Sequence, residues 1–320
     1  MTSGSHTHAA RPTDLVALVT FDDEVRRNQA VTLDRLGVGD QQGAHPLNVA
    51  IAQWLRLGRR MWINVEGREV RGIATARDLG GKSAWVLDTL IDASGEDAGD
   101  EVVQDLLEQA VSAAARAAVT HVLLRVEQDA PAREPAMRAG FRPALPERAW
   151  RGPLGGVAPP EGASVVVRPA TEADEASQFR LYSRVLPLDA RSLLGTTQGE
   201  WSALRDRRWL RGSVELVAEL DGEVRGGAAF SQPLGLVQID LIADQPAVAA
   251  ALLCAVRERS TARAALVLVP PSVGAVEAAL RDGGFEAGES YMQLCRRMAR
   301  PIQIEATAAP RVPVPSGGGA

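Results

Sequence analysis

Lysine, cysteine and long apolar runs are what this chain lacks. Lys82 is the only lysine among 35 basic residues, which reads as a genomic or thermal bias and not as a functional mark. Cysteine occurs twice, as Cys254 in an apolar helical pattern and Cys295 in a strand pattern. Two thiols without metal-like spacing give no metal site and are expected to be buried thiols of a reducing cytoplasm. No apolar stretch approaches the roughly 20 residues that span a bilayer, and nothing resembles a signal peptide. A large charge of one sign is also missing. A formal charge of −5 gives no general reason to expect nucleic acid or an anionic membrane as partner.

What is present suits a globular chain of two ordinary domains, each with its own core: 320 residues, 46% hydrophobic and 23% charged. Residues 1–12 show no apolar periodicity and are expected to be a disordered tail holding His6 and His8. Residues 152–162, GPLGGVAPPEG, read as a linker with nothing to bury. From Arg300 the chain is mostly Pro, Ala and Gly and is expected to be a second disordered tail, 300–320. The expected domains are therefore 13–151 and 163–299.

Within the first domain, apolar patterning predicts a strand at Leu15–Thr20, a helix at Asp22–Leu36 and a second helix at about Pro46–Leu57. Three meandering strands follow, Met61–Val65, Val70–Arg77 and Ala84–Ile91, with a tight turn at Gly67. A helix over about Gly99–Ala118, a strand at His121–Val126, a helix at Pro131–Ala139 and a strand near Trp150 complete it. The second domain repeats this order. Strands are expected at Ser164–Arg168, Val214–Leu220, Glu223–Ser231, Leu236–Ala243 and Ala265–Val269, and from Gly284 to Arg296. Helices are expected from Thr171 to about Val185, at Gln198–Leu210, at Pro246–Ser260 and at Ser272–Asp282.

The repeat has fixed anchors. Gly67 and Gly222 mark matching hairpins, Asp88 (in D-T-L-I-D) and Asp240 (in D-L-I-A-D) sit in matching strands, and Ala139-Gly140-Phe141 matches Gly283-Gly284-Phe285. Each Asp-bearing strand delivers the chain to the start of an Ala/Leu-rich helix. Such a junction is an anion site, because unpaired N–H groups and the helix dipole point at whatever lies there.

This order, with V-R-P-A-T-E-A-D (167–174), A-L-R-D-G-G-F (279–285) and A-M-R-A-G-F (136–141), resembles the GNAT N-acetyltransferase superfamily, once per half. The resemblance implies a mixed α/β (α+β) sheet in two tandem GNAT-like domains packed as a pseudo-dimer. It implies acyl transfer from acetyl-CoA, as cosubstrate, to an amine of a small molecule. A monomer with pseudo-dimeric domains, or a homodimer, is expected, with no nucleic acid, membrane or metal involved.

Both junctions depart from the family's Gln/Arg-x-x-Gly-x-Gly/Ala turn. In the second half the Gly positions fall near Ala247 and Ala249, and Pro246 removes one N–H donor. Ile242 and Ala243 are the implied main-chain ligands of the thioester arm. The first half keeps Gly95 and Gly99, but residues 92–108 carry seven acidic side chains and no basic one. Such a loop caps its helix while repelling a diphosphate. The resemblance makes Asp240 and Asp88 the candidate bases, their pKa raised by desolvation. The tyrosine that often protonates the departing thiolate is absent, since its positions hold Ala136 and Leu280. Arg205, Arg208 and Trp209, in a run with Trp201, Arg207 and Arg211, are candidate acceptor contacts. A solvated Arg face with Trp packed inward is the structural alternative. Gly81-Lys82-Ser83 ends like a phosphate-binding loop but lacks its first Gly and lies in a hairpin turn. His121 is expected to be a hydrogen-bonded core residue. The alternative function is a catalytically silent GNAT-like protein for ligand sensing or assembly.

Overall fold

The computed structural model describes residues 5–21, 28–37, 48, 51, 59–81, 83–94, 100–160, 162, 164–205, 213–232 and 235–298. The expected helix at Pro46–Leu57 and the expected tail 300–320 fall almost wholly or wholly outside them, as do Gly95, Gly99, Arg208 and Trp209.

The first half contributes strands β1 (His6–Ala9), β2 (Arg59–Glu66), β3 (Glu69–Asp78), β4 (Ala84–Asp92), β5 (His121–Glu127) and β6 (Arg142–Pro153). Its helices are α1 (Leu15–Thr20), α2 (Glu101–Arg116) and α3 (Arg133–Arg138). The second half contributes β7 (Val166–Pro169), β8 (Val214–Leu220), β9 (Glu223–Ser231), β10 (Leu236–Ala243), β11 (Ala264–Val269) and β12 (Glu286–Arg297). Its helices are α4 (Glu175–Val185), α5 (Leu188–Leu194), α6 (Gln198–Leu204), α7 (Pro246–Arg259) and α8 (Gly274–Asp282).

The twelve strands form one sheet in the order β1-β2-β3-β4-β5-β12-β6-β11-β10-β9-β8-β7. Read from either end the order is the same repeat, except at the centre, where the last strands are exchanged. β12 pairs with β5 of the first half (Leu294 opposite Leu124), and β6 pairs with β11 of the second (Val267 opposite Trp150). The cores follow the exchange. Met292 and Leu294 pack with the first half's Leu87, Leu106 and Leu124. Leu145 and Trp150 pack with the second half's Ile239, Leu252 and Val267.

Glycines set the helices against the meanders. A methyl on Gly72 would lie 2.6 Å from Val102 of α2, and one on Gly226 would lie 2.5 Å from Val248 of α7. The tight-turn glycine Gly67 has the expected positive φ, as do Gly140, Gly222 and Gly284, whereas Gly80 and Gly81, in the turn expected at residues 79–82, do not.

Several expectations change near the chain start and the junction. Residues 6–9, expected in a tail, form β1 against β2, with His8 opposite Ile63. Leu15–Thr20 is a helix and not a strand. The Pro12–Asp14 turn, where Asp14 accepts from the Arg11 N–H at 2.7 Å, starts the chain helically. The helix expected through Leu36 does not extend there. Residues 28–32 run between strands, followed by a single 3₁₀ turn at Leu33–Arg35. At 152–162, Gly152 and Pro153 belong to β6, and Leu154 and Val157 are buried. Those two side chains find the second half's core, so the segment does bury surface. A short helix at Leu188–Leu194 precedes α6 and was not anticipated.

The exchange predicts how a fragment behaves. A chain ending at Gly156 lacks β12 and leaves one edge of β5 unpaired, an edge primed for pairing with another chain. It should associate or aggregate, as read by sedimentation. A monomer melting cooperatively would show that β12 is dispensable to the first half.

Candidate active site

Adjacent parallel strands that separate toward their C-terminal ends leave a wedge between them. β4 and β5 stay paired only over Ala84–Val86, and β10 and β11 over Leu236–Asp240. The two wedges are filled differently.

In the first half the chain fills its own wedge. The N–H of Gln29 donates to Leu90 O at 2.9 Å on β4, and the N–H of Val31 donates to Arg125 O at 2.8 Å on β5. Asn28 adds a side-chain clasp: its Nδ2 donates to Asp88 O at 3.2 Å, and its Oδ1 accepts from the N–H of Leu90 at 2.8 Å. Asn28, Ala30 and Val31 are buried. The segment thus satisfies the backbone groups that the separating strands leave open.

Asp88 is drawn into this packing. The β3–β4 register shifts at Asp88, so that Thr75 faces Thr89 while Ala76 faces Leu87. The carboxylate accepts from Thr75 Oγ1 at 2.5 Å and faces Arg59 (3.4 Å) and Arg77 (3.7 Å). Arg35 donates to the Asp88 carbonyl, and burial lowers the Arg35 pKa while the Asp88 charge works the other way. Asp88 is 1% exposed. It is a buried ion-pair centre and does not line the cavity described next.

In the second half the separation of β10 and β11 opens into a cavity of about 260 Å³, walled by Ile242, Pro270 and Val273 at that end. β10 keeps a continuous register with β9, without a bulge. One row across the sheet therefore reads Glu215 (β8), Ala229 (β9), Asp240 (β10), Leu268 (β11). Residues opposite one another share a face, which puts Glu215 and Asp240 on one side with only a methyl between them.

Two arginines meet this row. Arg205, just past α6, pairs with Glu215 at 3.0 Å and lies 5.2 Å from the Trp201 ring centre. Arg125 of β5 reaches across β12 to grip Glu147 of β6 with two bonds, 2.6 and 3.1 Å. Asp240 carries no hydrogen bond or ion pair among the described residues. Asp240 is exposed to the cavity, and protein closes round it elsewhere. That confinement raises its pKa, with the Arg205 and Arg125 charges opposing and those of Glu147 and Glu215 adding.

The start of α7 is also occupied. Asp244 sits beside the Gln245 N-cap, and its Oδ2 binds Arg184 (2.6 Å) and Arg225 (3.0 Å), while its buried Oδ1 has no hydrogen-bond partner among the described residues. Ile242 lines the cavity, and Ala243 is buried against the α7 core. Ala247 is half-buried in the first turn of α7. Ala249 cannot serve as a loop ligand by its side chain, which is wholly buried, and its N–H already bonds Gln245 O. His121 is buried and shares a 2.9 Å hydrogen bond with Thr120.

No protein-family model and no curated protein matches the chain. Among solved structures it resembles a GCN5-related N-acetyltransferase from Sphaerobacter thermophilus, with 16% identity, 92% of this chain and 95% of that one covered, and a TM-score of 0.53. A functionally unknown conserved protein from Staphylococcus epidermidis matches at 9% identity over 70% and 90% of the two chains, with a TM-score of 0.50. The chain has the GNAT fold, once in each half. No helix among the described residues is long and apolar enough to cross a membrane, and no cluster of three potential metal ligands occurs among them.

The two halves therefore differ at equivalent places: one wedge holds the chain's own backbone, the other a cavity with a carboxylate that is unpaired among the described residues. The sequence singled out Asp240 and Arg205. It missed Arg125, Glu147 and Glu215, which sit at ordinary polar positions of alternating strands.

The Gly80-Gly81 turn, dismissed as a phosphate loop, has a different task. Its N–H groups donate to Arg205 O (2.8 Å) and Ala203 O (3.3 Å), capping the end of α6 from the other half. A methyl on Gly80 would meet the Arg205 and Ser202 oxygens at 2.8 Å, whereas one on Gly81 would meet Ala203 Cβ at 3.4 Å. Gly80→Ala should cost about 1–3 kcal/mol in denaturant unfolding and Gly81→Ala distinctly less. Equal costs would mean that the cap is not what the glycine serves.

A second expectation concerns Asp240. Its raised pKa means the folded protein holds a proton that the unfolded chain has lost, so stability falls as pH rises above the ordinary carboxylate range. Asp240→Asn should raise the melting temperature at pH 7, with the gain closing below about pH 4. A lower melting temperature at pH 7 would contradict the placement of the carboxylate.

Proposed function

We propose that the second half is an acyl-CoA-dependent N-acyltransferase acting on the amine of a small molecule, with Asp240 as general base. The observation that carries this reading is the Asp240 carboxylate, uncommitted among the described residues at the point where β10 leaves β11. A base with a raised pKa is poised nearer neutral pH, where proton abstraction from an ammonium is effective. The cavity beside it is large enough for an acceptor, and the GNAT fold is one that bears such chemistry.

In this reading Asp240 takes a proton from the acceptor's ammonium. Acetyl-CoA supplies the acyl group: the freed nitrogen forms the amide bond as the thioester C–S bond breaks, the second proton lost by that nitrogen passes to solvent, and the departing sulfur takes its proton from solvent. Solvent is invoked because Ala136 and Leu280 stand where a tyrosine donor would. Main-chain groups of Ile242 and Ala243 orient the thioester arm. Arg184 and Arg225, beside the start of α7, provide the positive charge a diphosphate requires once they exchange Asp244 for it. The first half acts as a wall, its own wedge being closed by residues 28–31.

A second reading, a catalytically silent ligand-binding protein, is favoured by those same Asp244 ion pairs, which neutralise the helix start with a residue of the chain. Calorimetric titration with acetyl-CoA and turnover on a panel of amines separate the two. Saturable binding is expected, and Asp240→Ala should lower kcat by about a hundredfold or more with a lesser effect on KM. Unchanged turnover would remove Asp240 from the mechanism. No binding at millimolar acetyl-CoA would leave the silent reading standing.

A further inference from the structure

We infer that the central cavity takes a hydrophobic primary ammonium that carries no carboxylate or phosphate of its own. This deepens the proposed function and rests on it for the role of Asp240 as base; the binding itself needs no transfer.

Charge comes first. Among the described residues, five charged side chains line the cavity: Arg125, Glu147, Arg205, Glu215 and Asp240. Four of them are already matched. Arg125 is held by both oxygens of Glu147, and Arg205 by Glu215. A ligand carboxylate would have to displace a protein carboxylate from a guanidinium it grips in a favourable geometry. Asp240 is the group left over among the described residues, so the described lining carries one surplus negative charge. In a confined site an unmatched charge selects a ligand of opposite sign more by excluding the wrong sign than by attraction alone.

The remaining wall is mostly hydrocarbon and aromatic, with Leu79, Leu123, Leu145, Leu186, Leu216 and Trp201, interrupted by Gln178, Gln293, Tyr182 and Thr32. Such a wall favours an apolar body, and its few neutral polar groups are too sparse to satisfy every hydroxyl of a sugar. Size agrees. The cavity, about 260 Å³, exceeds the ~150 Å³ apolar cavity that admits benzene, which leaves room for a ring and a short aminoalkyl arm. One further group marks the wall as built for an occupant. Thr32 lines the cavity and is 2% exposed, yet its Oγ1 has no hydrogen-bond partner among the described residues. Buried hydroxyls are ordinarily satisfied.

The test is calorimetric titration of the full chain, without acetyl-CoA, using 2-phenylethylamine, 2-phenylethanol and 3-phenylpropionate. The three share a body and differ in head-group charge. The amine should bind about tenfold or more tightly than the alcohol, and the acid most weakly. Asp240→Asn should bring the amine down to the level of the alcohol. Glu215→Gln, which frees the Arg205 guanidinium, should raise affinity for the acid. The inference is overturned if the acid binds as tightly as the amine, if the amine's advantage survives Asp240→Asn, or if none of the three binds. Acetyl transfer to 2-phenylethylamine is measured separately. Binding without transfer sinks the enzyme reading and leaves this one intact, whereas transfer only to carboxylate-bearing amines does the reverse.

Discussion

The structure depends on one pairing, that of β12 with β5 and β6 at the centre of the sheet. Each half, taken by its own sequence, ends with an unfilled edge. The exchange lets each last strand complete the other half's sheet, so that twelve strands run without interruption. It also delivers Glu147 on β6 to Arg125 on β5, across Gln293 of β12. The cavity's charged floor is therefore a product of the exchange. Neither half could assemble it alone, and the Gly80-Gly81 cap on α6 adds a second point at which the first half shapes the cavity of the second.

Two near-identical phrases, D-T-L-I-D and D-L-I-A-D, fold into different sites because of one residue of register. The bulge at Asp88 turns β4 so that its carbonyl meets Asn28 and Arg35 while its carboxylate meets Thr75, Arg59 and Arg77. Both oxygens of that carboxylate face groups of the protein itself. Without a bulge, Asp240 stays on the open face beside Ala229, and its charge meets no partner among the described residues. Packing is satisfied in one copy and left incomplete in the other, as expected where binding and stability make opposed demands.

Much of the fold was legible because its signals are local. Asp221-Gly222, Gly67, Gly140 and Gly284 mark turns through backbone conformations that few residues adopt. β8, β9 and β10 were read to the residue from alternation and turn chemistry. The chain start was not. L-V-A-L-V-T carries the β-branched composition of a strand, and only Pro12 and Asp14 reveal the turn that makes it a helix. The counterpart was in view: β7, the Glu172–Asp174 turn and α4 begin 160 residues after β1, Pro12–Asp14 and α1. In the second half the same turn is strengthened by Arg168, which grips Asp174 at 2.7 and 2.8 Å and holds its pKa well below the usual carboxylate range. In the first half His8 takes the place of that arginine, and the motif fades from the sequence. The candidate site was half legible. A lone Asp in an apolar strand is conspicuous, but Arg125, Glu147 and Glu215 become neighbours only through strand exchange and sheet register, which leave no local mark.

The segment that closes the first wedge has a consequence for descent. Apart from Asn28, its hold on β4 and β5 runs through peptide groups, which every residue but proline possesses. Substitutions other than proline along residues 29–31 keep those donors, so any side chain that still fits the buried positions of Ala30 and Val31 preserves the seal. Closure of this kind acts as a ratchet. A duplicated half that fills its cleft with its own backbone loses the function held there in few steps and regains it only by rebuilding the loop. Selection on ligand recognition then falls on the copy whose wedge remains open.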